Sequence, residues 1–316
     1  MKRIFDLNHT DFMTYTKQDI IESITKTEGR TVMSETVISI MPLLDGISNP
    51  ETASAFGADM ITLNTFSFES PFIFGYDDNH FNMFGGLEGN IDQIKNKIKE
   101  NKQNPNYIKD FKTIVGRFIG VNLEPVPEHI PYNEGARLNE KNLIKFKEQG
   151  FDYVVITANP NTGINSDDIT RGIKETRRVL GDDVLIIAGK MHGAGAGNIY
   201  DSETIEEFIT SGADVILVPA PGTVPGFTTE QTKKFVDLIH DHKGLAMTTI
   251  GTSQEGSSNS LIETIALQSK MAGADIQHIG DAGFSGIAHP ENITTLSVAI
   301  RGKRHTYRQM ARSKRR

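Results

Sequence analysis

The chain has 316 residues, 37% of them hydrophobic, and a mean hydropathy of -0.32, so it can form one large domain or two smaller ones and is too polar for a membrane protein. No apolar run approaches the roughly 18 residues of a spanning helix. The start MKRIFDLNHT lacks the apolar core of a signal peptide, which makes the cytoplasm the expected location. Cysteine is absent, which excludes disulfides and thiolate metal sites.

The net charge of -7 argues against nucleic acid as a partner of the main body. The exception is the C-terminal segment RGKRHTYRQMARSKRR (301–316), in which eight of sixteen residues are Lys or Arg. The simpler interpretation of this segment is a solvated helical tail. The alternative is a basic arm that reaches a neighbouring subunit, an anionic substrate or RNA.

A short motif occurs four times: Gly, then Ala or Phe, then Asp, directly before an apolar run. The four copies lie at 57–59, 150–152, 212–214 and 273–275. Each glycine ends a stretch with helical periodicity, as a left-handed residue after a helix does. The copies are 93, 62 and 61 residues apart, and half of 62 is the length of one βα unit. The pattern therefore predicts another strand midway between successive copies.

Short β-rich segments occur at those midpoints, and one more precedes the first copy. The eight predicted strands are TVISIMPL (36–43), MITLN (60–64), FIGVNLEP (118–125), YVVIT (153–157), DVLIIAGK (183–190), VILVP (215–219), GLAMTTIG (244–251) and IQHIG (276–280). Apolar strands that alternate with amphipathic segments are typical of a parallel sheet covered by helices. Eight such units predict an α/β fold, a (β/α)8 TIM barrel, rather than an open doubly wound sheet, which usually has fewer strands.

We expect the barrel to span residues 31–302. Residues 1–30 form an N-terminal extension that is helical over 17–27 and covers the bottom of the barrel, and residues 303–316 form the basic C-terminal tail.

An aromatic-rich insertion, FSFESPFIFGYDDNHFNMFGGLEGN (66–90), follows the second strand. Its seven rings belong to Phe66, Phe68, Phe72, Phe74, Tyr76, Phe81 and Phe84. Seven exposed rings would promote aggregation, so we favour a lid or a contact within a homo-oligomer. Packing of a long loop against its own barrel is the alternative.

In such barrels the catalytic groups lie where strands end and the following loops begin. This rule selects Lys190 and His192 after strand 5 and Glu124 after strand 3. The polar residues expected to orient a substrate are Asn64, Asn122, Thr157, Asn159 and Thr249.

The stretch AGKMHGAGAG (188–197) matches the dinucleotide fingerprint G-x-G-x-x-G only in part, because Asn198 stands where the last glycine belongs. It also follows the fifth strand rather than the first, which argues against a dinucleotide fold. We interpret it as a mobile loop with Lys190 and His192 at its hinge, where glycines let the backbone approach a ligand.

Lys190 is the most informative single residue, because an ammonium group at an apolar barrel mouth is costly unless it is paired or used. Three interpretations stay open: an ion pair with Glu124 or Asp45, binding of a substrate carboxylate or phosphate, and a Schiff-base nucleophile. His192 is a candidate general acid or base. Asp45, Glu124 and Asp281 are candidate oxygen ligands for Mg²⁺.

The loops IGTSQEGSSN (250–259) and IGDAGFSG (279–286) are rich in glycine and small hydroxyl residues that expose backbone amides, although ordinary turn chemistry also explains them. These loops and the βα periodicity resemble the ribulose-phosphate-binding class of (β/α)8 barrels. The resemblance implies a phosphate held by Gly251, Thr252, Gly280 and Gly283. Asp281 departs from that class, since a carboxylate there repels phosphate unless it points away or binds a cation.

The preferred hypothesis is a barrel enzyme that acts on a small anionic carbonyl compound, a phosphorylated sugar or sugar acid, by lyase (aldolase) or isomerase (epimerase) chemistry. Lys190 holds or activates the carbonyl group, and Glu124 and His192 transfer protons. The second hypothesis is a Mg²⁺-dependent lyase or mutase of the phosphoenolpyruvate type. The third is a barrel that binds a metabolite, or serves as an assembly subunit, without catalysis.

Overall fold

The computed structural model describes residues 1–78, 86–158, 162–190 and 201–312. Eight parallel strands close into a barrel in chain order, which confirms the predicted (β/α)8 fold. The strands are β1 (Thr31–Val37), β2 (Met60–Asn64), β3 (Phe118–Leu123), β4 (Tyr153–Ile156), β5 (Leu185–Gly189), β6 (Val215–Pro219), β7 (Leu245–Ile250) and β8 (Ile276–Ile279).

Helices precede and surround the barrel. They are α1 (His9–Thr14), α2 (Lys17–Thr25), α3 (Asn49–Ala55), α4 (Gly86–Gln103), α5 (Tyr107–Val115), α6 (Glu140–Gln149), α7 (Ser166–Leu180), α8 (Ser202–Thr210), α9 (Thr229–Asp241), α10 (Asn259–Ala272) and α11 (Pro290–Met310). Among the described residues, no helix is long and apolar enough to cross a membrane.

Side chains alternate between the two faces of each strand, so the barrel has two apolar cores. The inner core includes Met33, Met60, Phe118, Tyr153, Leu185 and Met247. The N-terminal extension packs against this inner core at the barrel bottom through Phe5, Phe12 and Ile20. The outer core lies between the strands and the surrounding helices.

The position of β1 corrects the sequence-based expectation. The strand runs from Thr31 to Val37 and not over 36–43, although it pairs in register with β2 and β8 as a first strand should. Its polar sequence TVMSETV is less strand-like than the apolar run that follows. The shift brings Glu35 onto the inner face, since it alternates with Met33, and leaves Asp45 in an exposed turn.

The repeated Gly-x-Asp motif has a common structural role at the bottom of the barrel. Its four glycines have positive φ angles between 78° and 116°, which explains glycine at each position. The four carboxylates each accept a hydrogen bond from a backbone N–H of the preceding strand: Asp59 from Val32 at 2.9 Å, Asp152 from Ile119 at 2.8 Å, Asp214 from Ile186 at 2.9 Å and Asp275 from Ala246 at 2.8 Å. The repeat therefore joins β1 to β2, β3 to β4, β5 to β6 and β7 to β8.

The aromatic insertion packs inward over its described part. Phe66 and Phe68 are buried against Phe151, and Tyr76 packs on Phe111 of α5. Phe66, Phe68 and Tyr76 therefore pack with the outer core of the same chain, as the alternative interpretation expects, and a lid or an oligomer contact stays a prediction for the insertion. Phe81 and Phe84 lie outside the described residues.

Exposed apolar side chains are found instead in the loops after β1 and β8. In these loops the most exposed are Met41 (61%) and Phe284 (62%), with Ile40 and Leu44 close to Met41 in the sequence, and on α10 Met271 is 74% exposed. A homo-oligomer stays a prediction.

The basic C-terminal segment is folded onto the barrel as far as it is described. Helix α11 continues through a kink at Gly302, where φ is 76°. Beyond the kink, Gln309 donates a hydrogen bond to Asp59 at 2.6 Å and Arg312 donates one to the Phe5 carbonyl at 2.7 Å. Residues 303–312 therefore close the barrel bottom together with the N-terminal extension, rather than forming a free arm.

Candidate functional site

The inner face of the barrel becomes polar at the carboxyl ends of the strands. Glu35 of β1 lies between Asn122 of β3 and His278 of β8. The side-chain amide of Asn122 donates a short hydrogen bond to Glu35 Oε1, and Nε2 of His278 is 3.3 Å from Glu35 Oε2. All three side chains are buried. A carboxylate oxygen accepts, so a neutral imidazole that turns its Nε2–H toward Glu35 presents Nδ1 as an acceptor.

A second acid, Asp281, lies beside this group in the loop after β8. Its Oδ2 accepts a hydrogen bond from Asn64 Nδ2 at 2.7 Å, and Asn64 Oδ1 in turn accepts from the Thr65 amide at 2.8 Å. Thr65 has a φ of 62°, a conformation that a β-branched residue rarely adopts. Backbone strain of this kind is common at functional sites. Here the Thr65 backbone N–H orients the side-chain amide of Asn64, which donates to Asp281.

The third acid, Glu255, comes from the loop after β7. The loop turns through Thr252 and Ser253, which both have left-handed φ angles (57° and 71°). Glu255 is buried, and a Cβ atom placed on Gly280 would collide with Glu255 Oε1. Glycine at 280 is therefore required for the carboxyl group to lie over β8.

The three acids repel one another. Burial, and after it the negative charge of Glu35, raises the pKa of Asp281 to about 7, and the hydrogen bond from Asn64 acts in the opposite direction. Burial also raises the pKa of Glu255, which interacts with Glu35 and with His278. The mouth therefore holds a carboxyl group that can donate or accept a proton near neutral pH.

Several buried polar atoms of this region have no hydrogen-bond partner within the described parts of the chain. They are Asn122 Oδ1, His278 Nδ1, Glu255 Oε2 and Thr157 Oγ1. Buried polar groups are normally paired, so a group of such atoms at the carboxyl end of a barrel is typical of a binding site.

Two of the three predicted catalytic residues are described. Lys190 directly follows β5 and is buried, and burial lowers the pKa of its ammonium group. Glu124 directly follows β3, is buried, and accepts a hydrogen bond from the Tyr132 hydroxyl. His192 and the predicted substrate ligand Asn159 lie outside the described residues.

The four predicted phosphate-binding residues differ in how open their backbone amides are. The Gly280 amide donates to the Ile250 carbonyl at 2.9 Å, and Glu255 covers the same residue, so this amide is not open to a phosphate. Gly283 packs against the backbone of residues 287–289. The prediction stays for Gly251 and Thr252, although the Thr252 hydroxyl lies 2.8 Å from the Thr223 carbonyl, to which it can donate.

The other predicted residues are placed as follows. Asn64 and Asn122 are brought to the mouth, whereas Thr249 directs its hydroxyl to the Val218 carbonyl at 3.2 Å. Across the described ranges, no three acidic or histidine side chains are arranged to hold a metal ion. The structure therefore does not bring Asp45, Glu124 and Asp281 together as the expected cluster, because Asp45 lies in an exposed turn after β1.

Sequence reasoning missed Glu35, His278 and Glu255. A signal was present for His278, because the alternation in IQHIG places it on the same face as Ile276 and therefore inside the barrel. Glu35 was missed because the first strand was placed too late in the chain. Glu255 lies in a loop, and no local pattern indicates that its side chain folds back over β8.

Two surface cavities lie away from this site. One, of about 430 Å³, is lined by residues that include Pro125, Arg137 and Arg171, and another, of about 450 Å³, lies at the barrel bottom beside Asp214 and His240. Arg137 is fully used in hydrogen bonds to the loop around it. The unpartnered polar atoms, and not cavity size, identify the barrel mouth as the candidate site.

A family model described as "Domain of unknown function (DUF7916)" matches residues 5–316. No curated protein matches the sequence significantly. Among solved structures, the chain is similar to a thiamine phosphate pyrophosphorylase from Pyrococcus furiosus (11% identity, 86% of this chain and 96% of that one, TM-score 0.46). It is also similar to 2,3-dimethylmalate lyase, a PEP mutase/isocitrate lyase superfamily member (12% identity, 84% of this chain and 80% of that one, TM-score 0.47). A third similar structure is oxaloacetate acetylhydrolase in complex with oxalate (16% identity, 84% of this chain and 81% of that one, TM-score 0.47).

Proposed function

The chain belongs to the DUF7916 family, and we propose that it is a barrel enzyme of the lyase or isomerase type that moves a proton next to the carbonyl group of a small substrate. The observation that carries this proposal is Asp281, a carboxyl group with a pKa of about 7 that Asn64 holds at the barrel mouth. General acid–base catalysis is most effective when the pKa of the group lies near the operating pH.

The surrounding groups fit the same chemistry. Asp281 is placed to take the proton and to return it, and the Glu35–His278 pair lies beside it at the barrel mouth. Removing a proton beside a carbonyl group also requires stabilisation of the negative oxygen that forms. Lys190 is the sequence-based candidate for holding that oxygen, and Glu124 and His192 are the sequence-based candidates for proton transfer. A phosphorylated sugar or a sugar acid is the substrate that these candidates suggest.

Solvent deuterium exchange tests the proposal whatever the product of the reaction is. The purified protein is incubated in D₂O with a panel of sugars, sugar phosphates and keto or hydroxy acids, and loss of the proton signal beside the carbonyl group is followed by NMR. We expect exchange with at least one member, and a loss of at least ~100-fold in Asp281→Asn. Glu291→Gln, which removes an exposed carboxylate at the start of α11, is the matched control. Full exchange in Asp281→Asn would overturn the assignment.

A Schiff-base mechanism is favoured by one further observation, the lowered pKa of the buried Lys190. Borohydride added with the substrate should then trap a covalent adduct at Lys190, and Lys190→Arg should be inactive. An active Lys190→Arg without an adduct would assign the residue to charge stabilisation instead.

The two other hypotheses predict different results in the same assay. A Mg²⁺-dependent lyase or mutase loses exchange on chelation and regains it with Mg²⁺, whereas the proposed scheme is insensitive to chelation. A barrel that only binds a metabolite is stabilised by it against heat without exchanging any proton.

A further inference from the structure

Three of the four unpartnered atoms at the barrel mouth are acceptors, and the fourth, the hydroxyl oxygen Thr157 Oγ1, can also accept. Asn122 Oδ1 is an acceptor, because the other end of the amide donates to Glu35. His278 Nδ1 is an acceptor in the neutral ring, because Nε2 faces Glu35. Glu255 Oε2 is a carboxyl oxygen. The three side chains are 4%, 3% and 2% exposed, so solvent does not satisfy these atoms freely.

These acceptors belong to one connected group. Asn122 and His278 contact opposite oxygens of Glu35, and Glu255 interacts electrostatically with Glu35. Asp281 adds a further carboxyl group that interacts with Glu35 and Glu255. A ligand that suits this group must therefore bring hydrogen-bond donors and positive charge.

We propose that the group formed by Glu35, Asn122, Glu255 and His278 binds the ammonium group of an amine ligand. An ammonium group carries three donors and a full positive charge, which matches three buried acceptors among carboxyl groups. A phosphate or carboxylate offers acceptors to acceptors and is repelled, and a hydroxyl group brings one donor and no charge. A divalent cation fits less well, since the described residues do not form a three-ligand metal site.

The proposal gives the substrate of the proposed function an amino group, and in this respect it rests on that function. Strand β5, which Lys190 follows, lies four strands from β1 around the closed barrel and hence on the opposite wall. An amino-substituted carbonyl compound with an anionic group could then span the mouth, with its ammonium group at Glu35 and its anionic group at Lys190.

Matched pairs of small ligands test the ammonium site directly. The full chain is titrated with D-glucosamine and D-glucose, and with ethanolamine and ethylene glycol, with binding followed by calorimetry or ligand-observed NMR. Within each pair a hydroxyl group replaces the amine. We expect each amine to bind at least ~10-fold more tightly than its partner, and Glu255→Gln to remove most of this difference. Glu291→Gln should leave it unchanged, and thermal melts confirm that both variants are folded.

Three results would overturn the proposal: equal binding within each pair, amine binding that Glu255→Gln does not weaken, and displacement of a bound amine by MgCl₂ alone. The comparison within each pair uses the wild-type protein and does not depend on the folding of a variant. Binding is measured without turnover, so the two assays are independent. If the amines do not bind more tightly, the ammonium site is rejected and the exchange assay still tests the proposed function. If no substrate exchanges its proton, the proposed function is rejected and the binding titrations still test the ammonium site.

Discussion

Carboxylates lie at both ends of the barrel, in opposite surroundings. At the bottom, each aspartate of the repeated motif has a cationic partner. The pairs are Asp59 with Arg301 at 2.5 Å, Asp152 with Lys112 at 2.5 Å, Asp214 with Arg177 at 2.5 Å and Lys17 at 2.7 Å, and Asp275 with His240 at 2.8 Å. At the mouth, Glu35, Glu255 and Asp281 face amides, an imidazole and each other.

The difference separates stability from chemistry. The bottom carboxylates complete hydrogen bonds between strands and have their charge compensated, so they hold the barrel closed. At the mouth, Glu35 and Glu255 are buried and Asp281 is half-buried near like charges, which costs folding free energy and raises the pKa of Glu255 and Asp281. Groups that reduce stability in this way are expected where a protein binds or reacts, because function maintains them.

The largest effect is expected from breaking the most buried pair at the bottom. Arg301 and Asp59 are both fully buried, and Arg301 also donates to the Gly57 carbonyl. Arg301→Gln leaves the Asp59 charge buried and without its partner. We expect the free energy of unfolding to fall by about 3–5 kcal/mol, measured by urea denaturation.

Arg304→Gln is the control for this change, because Arg304 lies three residues further along α11 and is exposed. It should change the free energy of unfolding by less than about 0.5 kcal/mol. Equal effects of the two substitutions would show that the bottom pair does not stabilise the barrel.

A gain in stability is expected at the mouth. Asp281→Asn removes a carboxyl group that is costly to ionise, and the new side chain can still accept the hydrogen bond from Asn64. We expect this variant to melt at a higher temperature than the wild type at pH 8, although it should lose deuterium exchange. A lower melting temperature at pH 8 would contradict the assignment of Asp281 as a destabilising group.

The gain should depend on pH with a definite sign. The folded protein holds the Asp281 proton up to about pH 7, whereas an unfolded aspartate loses it near pH 4. Wild-type stability therefore falls as the pH rises through this window. Between pH 5 and pH 7 the advantage of Asp281→Asn should grow by about 1–3 kcal/mol, since each pH unit corresponds to about 1.4 kcal/mol. Denaturation at both pH values measures the change.

The contrast between the two ends also explains what the sequence could predict. The Gly-x-Asp copies are visible because each one combines a helix-ending glycine, a strand-bridging aspartate and an apolar strand in consecutive positions. These local patterns locate seven of the eight strands, and the eighth, β1, is misplaced because Glu35 interrupts its apolar character. A buried functional residue thus weakens the very pattern that locates a strand.

The mouth depends on contacts that no local pattern encodes. Strand ends predicted Asn64, Asn122, Glu124 and Asp281 as neighbours of the site, because the barrel gathers those ends on one face. The candidate Mg²⁺ ligands Asp45, Glu124 and Asp281 are not brought together, because Asp45 lies in an exposed turn, and Asp281 accepts a hydrogen bond from Asn64. Glu255 crosses from the β7 loop to β8, and its approach to Gly280 depends on the turn at Thr252 and Ser253.

The smallest effect is expected at the most exposed of the bottom pairs. His240 Nε2 lies 2.8 Å from Asp275, and this hydrogen bond raises the pKa of the imidazole. A raised pKa stabilises the folded protein below the unfolded value of about 6.5, and the contribution disappears as the pH rises through the folded value. The His240 side chain is 41% exposed, so solvent screening limits the loss in His240→Gln at pH 5.5 to about 0.5 kcal/mol, with a smaller loss at pH 8.5. His242→Gln, which removes a nearby imidazole that lies 3.0 Å from the Leu238 carbonyl, is the control for loss of a histidine from this helix end. A loss in His240→Gln that is equal at both pH values would mean that the Asp275 pair contributes no charge attraction.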